Sequence, residues 1–168
     1  VCGAALTKSE AQVTIEGLPD RPGTSLAVFA AIAEHKVTVD MIVQNVGEHG
    51  LADISFTVPR DELAVTLESV AKVAEQLGAI GFSHDDDVAK VSVVGLGMAN
   101  RTGVADQMFR ALAEAGVNIE MISTSEIKIS VLVGRDDALK ALRAVHQEFQ
   151  LDRQPASVDE ADGNVTVD

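Results

Sequence analysis

The sequence contains no tryptophan and no tyrosine, and its aromatic residues are limited to 5 phenylalanines. Single-stranded nucleic acids are held largely by base stacking on aromatic rings, so that mode of binding has little to work with here. Basic residues are also scarce: 13 Lys and Arg stand against 26 Asp and Glu, a formal net charge of −13. A field of that sign repels nucleic-acid backbones and anionic lipid surfaces alike. The single cysteine, Cys2, excludes an internal disulfide and any multi-thiolate metal cage, and reads as a small apolar residue in a reducing compartment. No apolar run approaches the roughly 20 residues that a membrane helix needs, and no charged-plus-apolar leader follows Val1. With 46% hydrophobic and 23% charged residues, the composition is that of a soluble globular protein. It is expected in the cytoplasm, with small molecules or other proteins as partners and neither nucleic acid nor membrane among them.

What is present is an internal duplication. Residues 11–56 and 89–131 follow one plan, so the 168 residues read as two small domains rather than one large one. Each copy opens on an alternating strand that ends in Gly-Leu, Val13-Thr14-Ile15-Glu16-Gly17-Leu18 and Val91-Ser92-Val93-Val94-Gly95-Leu96. A turn follows, Arg21-Pro22-Gly23 or Arg101-Thr102-Gly103, and then a helical pattern carrying Leu26, Phe29 and Ala33, or Ala105, Phe109 and Leu112. The copies then converge on Val37-Thr38-Val39-Asp40-Met41-Ile42 and Val117-Asn118-Ile119-Glu120-Met121-Ile122, conservative at every position. A further strand contains Ile54-Ser55 or Ile129-Ser130. Arg60-Asp61 or Arg135-Asp136 then opens a second helix, with a stripe of Leu63, Leu67, Val70, Ala74 and Leu77, or of Ala138, Leu142, Val145 and Phe149.

The first hairpin is the longer, with Gly47-Glu48-His49-Gly50 where copy two has only Ser125-Glu126. Each unit therefore reads β-α-β-β-α. Copy one closes on a short strand at residues 80–83, and copy two has no closing strand. The apolar segment 1–6 has no place in copy one and is expected to supply the missing edge of the second sheet. Asp85-Asp86-Asp87 reads as a solvated connection, and residues 152–168 as a disordered acidic tail. The expected domains are 9–84, and 1–8 plus 88–151.

Most of the motifs that resemble chemistry fail on inspection. Gly95-Leu96-Gly97-Met98-Ala99-Asn100 sits between strand and helix with Glu120 about 20 residues on, but it ends in Asn100, and a hairpin follows where a nucleotide site needs a parallel crossover. There is no Gly-x-x-x-x-Gly-Lys loop. Three successive aspartates in extended chain point in different directions and make a poor cation site. His35, His49, His84 and His146 have no second ligand at useful spacing, and no serine sits in a nucleophile elbow, so no metal and no catalytic group are assigned. What remains are strand-to-helix turns suited to an amino acid. Backbone N–H groups near Gly23 and Gly103 favour a carboxylate, Asp20 suits an ammonium, and Gln44 or Asn118 suits a polar side chain. The same residues could equally serve only to shape turns and strand ends.

Several stretches resemble one family: Lys8-Ser9-Glu10-Ala11, Asp20-Arg21-Pro22-Gly23, Val39-Asp40-Met41-Ile42-Val43-Gln44-Asn45-Val46, Asp53-Ile54-Ser55-Phe56-Thr57 and residues 122–131. They are similar to the tandem ACT domains of the regulatory region, or small subunit, of bacterial aspartate kinases. The resemblance implies an α+β fold, two ferredoxin-like βαββαβ domains with antiparallel sheets, the N-terminal strand completing the second. It implies a homodimer through the ACT domains, no cofactor, and feedback inhibition by threonine, with lysine as an alternative or additional effector. The matching effector site is Asp20, Gly23, Ser25 and Gln44 facing Asn118 and Ile119 of a second chain, with Gly47, Ser55 and Ser125 linked to feedback. Ser25 and Gly47 stand where the family carries a small apolar residue and a serine. The kinase catalytic subunit or domain would lie outside this chain, which would then be a separate small subunit or a C-terminal region and would not phosphorylate aspartate unaided. The competing expectation is a stand-alone small-ligand enzyme on a ferredoxin-like scaffold, with Glu120 or His146 as acid or base. Amino-acid binding without turnover separates the two.

Overall fold

Ala11, Val13 and Ile15 alternate with Gln12, Thr14 and Glu16, and a period of two makes a strand with one apolar face. The computed structural model, which describes residues 1–96, 102–151, 156–159 and 164–167, places this pattern in strand β1, Gly3–Pro19. There follow α1 (Thr24–Ala33), β2 (Ile42–Val46), β3 (Leu51–Pro59), α2 (Leu63–Leu77), β4 (Gly81–Val94), α3 (Val104–Glu114), β5 (Ile119–Thr124), β6 (Lys128–Gly134), α4 (Ala138–Glu148), β7 (Ala156–Asp159) and β8 (Asn164–Val167). A single 3-10 turn, Arg60–Glu62 or Arg135–Asp137, leads into α2 and α4. The chain divides into two compact units, Glu10–Asp86 and Val1–Ser9 with Asp87–Asp168.

In the unit Glu10–Asp86 the strands lie in the order β2-β3-β1-β4. The antiparallel register sets Val13 beside Phe56, Ile15 beside Ile54 and Ala11 beside Val58. That apolar face packs against Val28 and Ile32 of α1 and Val70, Val73 and Ala74 of α2. Phe29 meets Phe56 edge-on, with ring centroids 5.5 Å apart, a favoured aromatic geometry. The buried stripe of α1 is Thr24, Val28 and Ile32, so the expected stripe is displaced: Leu26 is 73% exposed.

In the other unit the order is β1-β4-β6-β5, and Ala4 and Leu6 of β1 enter its core. The N-terminal strand thus completes the second domain. Val91 pairs with Val131, Ala89 with Val133 and Val93 with Ile129, and this face packs on Met108 and Leu112 of α3 and Ala141, Leu142 and Val145 of α4. Both units have the two-layer ferredoxin-like arrangement, helices on one face of an antiparallel sheet.

Two expectations are corrected here. Asp85, Asp86 and Asp87 form no loose connection, because β4 runs unbroken through them. In an exposed strand the carboxylates project into water while the backbone stays extended, and Asp86 meets Arg60 at 3.7 Å, a surface pair of little energetic weight. Nor is the tail without order throughout. Residues 156–159 and 164–167 form a hairpin whose second strand pairs with β1. Val165-Thr166-Val167 is β-branched, and β-branched residues favour extended chain. The acidic composition of the tail masked that local preference.

On the sheet face opposite the helices the duplication leaves a second signature. Thr14 and Ser55 hydroxyls lie 2.9 Å apart, and at the equivalent positions Ser92 and Ser130 lie 2.7 Å apart. The second pair is buried, at 3% and 2% exposure, so removing one hydroxyl strands the other. Ser130→Ala should therefore lower stability by about 1–3 kcal/mol. The double variant Ser92→Ala/Ser130→Ala should recover much of that loss, a comparison that denaturant unfolding of the three variants can make.

Candidate functional site

The candidate site is built at the end of β1. Pairing with β3 slips between Ile15 and Leu18, and Gly17 sits in the slip at φ 67. Its N–H donates to Asp53 Oδ1 at 2.9 Å. A side chain there would place Cβ 2.5 Å from Ile80 Cγ1, so the glycine answers both to the positive φ and to the close approach. The neighbouring Ile80 N–H donates to Glu16 O at 2.9 Å, fixing the start of β4 against the slip. Past Pro19 the chain is pinned twice: Asp20 N–H donates to Gly50 O at 2.8 Å, and Thr24 Oγ1 donates to Pro19 O at 2.7 Å.

Gly23 then caps α1 at φ 94, with no side-chain cap and no acidic residue in the first turn. Ala27 N–H is the first to turn back, onto Gly23 O at 2.9 Å. The N–H groups of Ser25 and Leu26 lie ahead of it, where a helix has no internal acceptor to offer. Together with the helix dipole they make an anion seat, and a carboxylate matches it. The Asp20 side chain, exposed and without a hydrogen bond among the described residues, is the nearby group of opposite character, suited to an ammonium.

Ser25 Oγ donates to Gln44 Oε1 at 3.2 Å, joining the first turn of α1 to the edge strand β2. The contact leaves the Gln44 amide N–H groups and the Ser25 oxygen lone pairs available to a polar ligand group. Gly47 opens the β2–β3 hairpin, its N–H donating to Leu51 O at 2.9 Å, and His49 and Gly50 complete the turn at φ 60 and φ 72. Since Gly50 O holds Asp20 N–H, the longer hairpin of copy one braces the site turn. Asp20, Gly23, Ser25 and Gln44 thus gather at one end of the unit Glu10–Asp86, with the Gly47 hairpin attached.

The other singled-out residues lie elsewhere. The Ser55 hydroxyl is engaged with Thr14 on the sheet face opposite the helices. Asn118 is exposed just before β5 and Ile119 is the half-buried first residue of β5, both in the second unit. Ser125 closes the β5–β6 turn: its N–H donates to Lys128 O at 2.7 Å, and its Oγ accepts from Lys128 N–H at 3.1 Å. Glu120 lies on β5 and His146 on α4, in different layers of that unit. Gly97, Met98, Ala99, Asn100 and Arg101 lie outside the described residues. Among the described residues no group of three or more His, Cys, Asp or Glu could hold a metal ion, and no helix is long and apolar enough to cross a membrane.

Three residues shape the site that the sequence did not assign to it: Thr24, Gly50 and Asp53. Thr24 had a signal, a hydroxyl residue directly after the capping glycine. Gly50 O and Asp53 Oδ1 act through contacts closed only by the register of the β2–β3 hairpin, which no local pattern reveals.

Comparison with known proteins gives this geometry a family. Two ACT domain models match the chain, one over residues 12–75 and one over residues 91–149. The protein is thus defined as a tandem ACT-domain protein. The crystal structure of the regulatory subunit of aspartate kinase from Thermus thermophilus, ligand free, is 44% identical with a TM-score of 0.84, over 89% of this chain and 98% of that one. A chain of a crystal structure of aspartokinase alpha and beta subunits is 45% identical with a TM-score of 0.83, covering 89% of this chain and 99% of that one. The aspartokinase of Helicobacter pylori is 44% identical over 91% of this chain but only 37% of its own length. The chain therefore belongs to the family of aspartate kinase regulatory subunits, and it spans 37% of the length of that full aspartokinase.

The slip in β1 aims Leu18, Pro19 and Asp20 into the site turn, and it depends on a residue without a side chain. Gly17→Ala should cost about 1–3 kcal/mol, the scale of holding an ordinary residue in a strained backbone conformation. Thermal unfolding of the variant should show the lowered midpoint, and an unchanged midpoint would mean that Ile80 yields freely.

Proposed function

We propose that this chain is an allosteric sensor of a free amino acid, threonine in the first instance, that imposes feedback inhibition on an aspartate kinase catalytic subunit or domain. The observation that carries the reading is the α1 N-terminus, whose dipole no acidic residue offsets, set beside the Asp20 carboxylate and the Ser25–Gln44 contact. A zwitterion brings one charge of each sign, and each needs a partner because an unpaired buried charge is costly. The N–H groups of the first helical turn would take the carboxylate and Asp20 the ammonium. Ser25 and Gln44 would read a side-chain hydroxyl, a discrimination that hydrogen-bonding sites make well. The likeness to a regulatory subunit of aspartate kinase supports the kinase as partner. On the same likeness, Asn118 and Ile119 of a second copy would face this turn, with Gly47, Ser55 and Ser125 affecting the response from their hairpins and strand.

A homodimer is part of the proposal. The outer strands of the two units carry exposed apolar residues, Ile42 and Val46 on β2 and Ile122 on β5, with Leu26 close to the β2 side through Ser25. Open sheet edges flanked by such residues favour pairing with a symmetry mate. Sedimentation at micromolar concentration should give a dimer, and Val46→Lys should shift it towards monomer. A monomer in the unaltered protein, with and without threonine, would count against this part.

Titration calorimetry tests the site. The chain should bind threonine saturably and without turnover. Gln44→Ala should weaken binding by about 1–3 kcal/mol, the cost of stranding a polar partner. Asp20→Ala should weaken it at least as much, with lysine as the control ligand. Unchanged threonine affinity in both variants would sink the proposed site.

A further inference from the structure

Strand β1 has two edges at its N-terminal end. One lies against β4, where Cys2 N–H also donates to Val94 O at 2.8 Å. The other is taken by β8 in antiparallel register, Ala4 with Val167, Ala5 with Thr166, Leu6 with Val165 and Thr7 with Asn164. Among the described residues β7 then pairs only with β8. We propose that the β1 edge at residues 4–7 is a strand-addition site, that the β7–β8 hairpin is the strap occupying it, and that the strap can open and exchange for β8 of a second copy.

Edge composition is the first reason. Gly3-Ala4-Ala5-Leu6-Thr7 carries no charge and no proline, the devices by which sheets protect an open edge. In the unit Glu10–Asp86 the corresponding outer segment of β4 does carry charge, with Asp85 and Asp86 exposed. One edge is guarded by its side chains, and the other is guarded by a covering strand.

Strap stability is the second. β7 and β8 have 4 residues each, and an isolated two-stranded hairpin of that size is marginal in water. β1 itself stays in place when the strap lifts, because Ala4 and Leu6 are 1% and 0% exposed in the apolar cluster of this unit. Opening therefore removes the cover and leaves the template, the condition for β-augmentation by another strand.

The test uses the full chain with Val165→Pro and Thr166→Pro together. Neighbouring residues of a strand alternate in the direction of their N–H groups, so one of the two prolines removes a donor facing β1 whichever way β8 is turned. Amide exchange at residues 4–7 should rise at least ~10-fold, the effect of losing a covering strand from an otherwise folded unit, while β5 and β6 exchange as before. A synthetic peptide of residues 155–168, in excess, should restore the protection, and the same peptide carrying both prolines should not. Unchanged exchange at residues 4–7 would overturn the strap. So would a loss of protection throughout the unit, which would make the hairpin integral to the fold, or a failure of the unaltered peptide to restore protection.

Discussion

Strand β1 is 17 residues long, and its apolar positions change allegiance half-way along it. Ala4 and Leu6 belong to one hydrophobic cluster, and Ala11, Val13, Ile15 and Leu18 to the other. β4 does the same in the opposite sense, with its first residues in the unit Glu10–Asp86 and Val88, Ala89, Val91 and Val93 in the second. The unit Glu10–Asp86 is one contiguous piece of sequence, whereas the second is assembled from Val1–Ser9 before it and Asp87–Asp168 after it. The second unit borrows the start of β1, and a register slip in β1 or β4 would turn an alternating apolar set away from its core. Most other features are local to one unit. These two strands are the constraint that both units share.

The repeat made most of this fold legible. Paired words such as Val39-Asp40-Met41-Ile42 and Ile119-Glu120-Met121-Ile122 align the copies, and the unmatched segment 1–6 beside an unclosed second copy points to a borrowed strand. Where local pattern misled, another force had acted. The aspartates at 85–87 read as a connection because charge suggests solvent, yet an exposed strand is compatible with both charge and extended backbone. Leu26 read as core because it is apolar and in phase, but Val28 and Ile32 meet the sheet and turn Leu26 outwards. Of the site, the turn with Asp20 and Gly23 was legible from punctuation and charge. The Ser25–Gln44 contact and the pin from Gly50 to Asp20 were not, because they depend on where the β2–β3 hairpin ends in space.

An effector can shift an equilibrium only through a difference in its affinity for two arrangements. For the proposed sensor, that requires a site whose groups are partly placed before the ligand arrives and partly able to move. The turn at residues 19–24 meets the first condition, held by Thr24 Oγ1 on Pro19 O and by Gly50 O on Asp20 N–H. β2 supplies the second: among the described residues it is an edge strand with a single neighbour, and Gln44 is exposed. A ligand drawing on both would tie an edge strand to a fixed turn. In the proposed homodimer that edge would also face the second chain, so such a tie would bear on assembly.

The two copies kept their fold and parted in their polar chemistry. Ser25 and Gln44 correspond to Ala105 and Thr124, so the contact that joins helix to edge strand in the first copy has lost its serine and its amide in the second. The helix N-termini differ in the same sense. α1 has no acidic residue in its first turn, whereas α3 has Asp106 there, bound in turn to Arg110. A carboxylate at that position offsets the dipole from within the chain and weakens the attraction for an external anion. Core packing explains none of this, since Ser25 is half-buried and Gln44 and Asp106 are exposed. The differences fit the proposed carboxylate seat at the start of α1: the hydrophobic pattern is preserved in both copies, and the charge balance at the helix start is left open in only one.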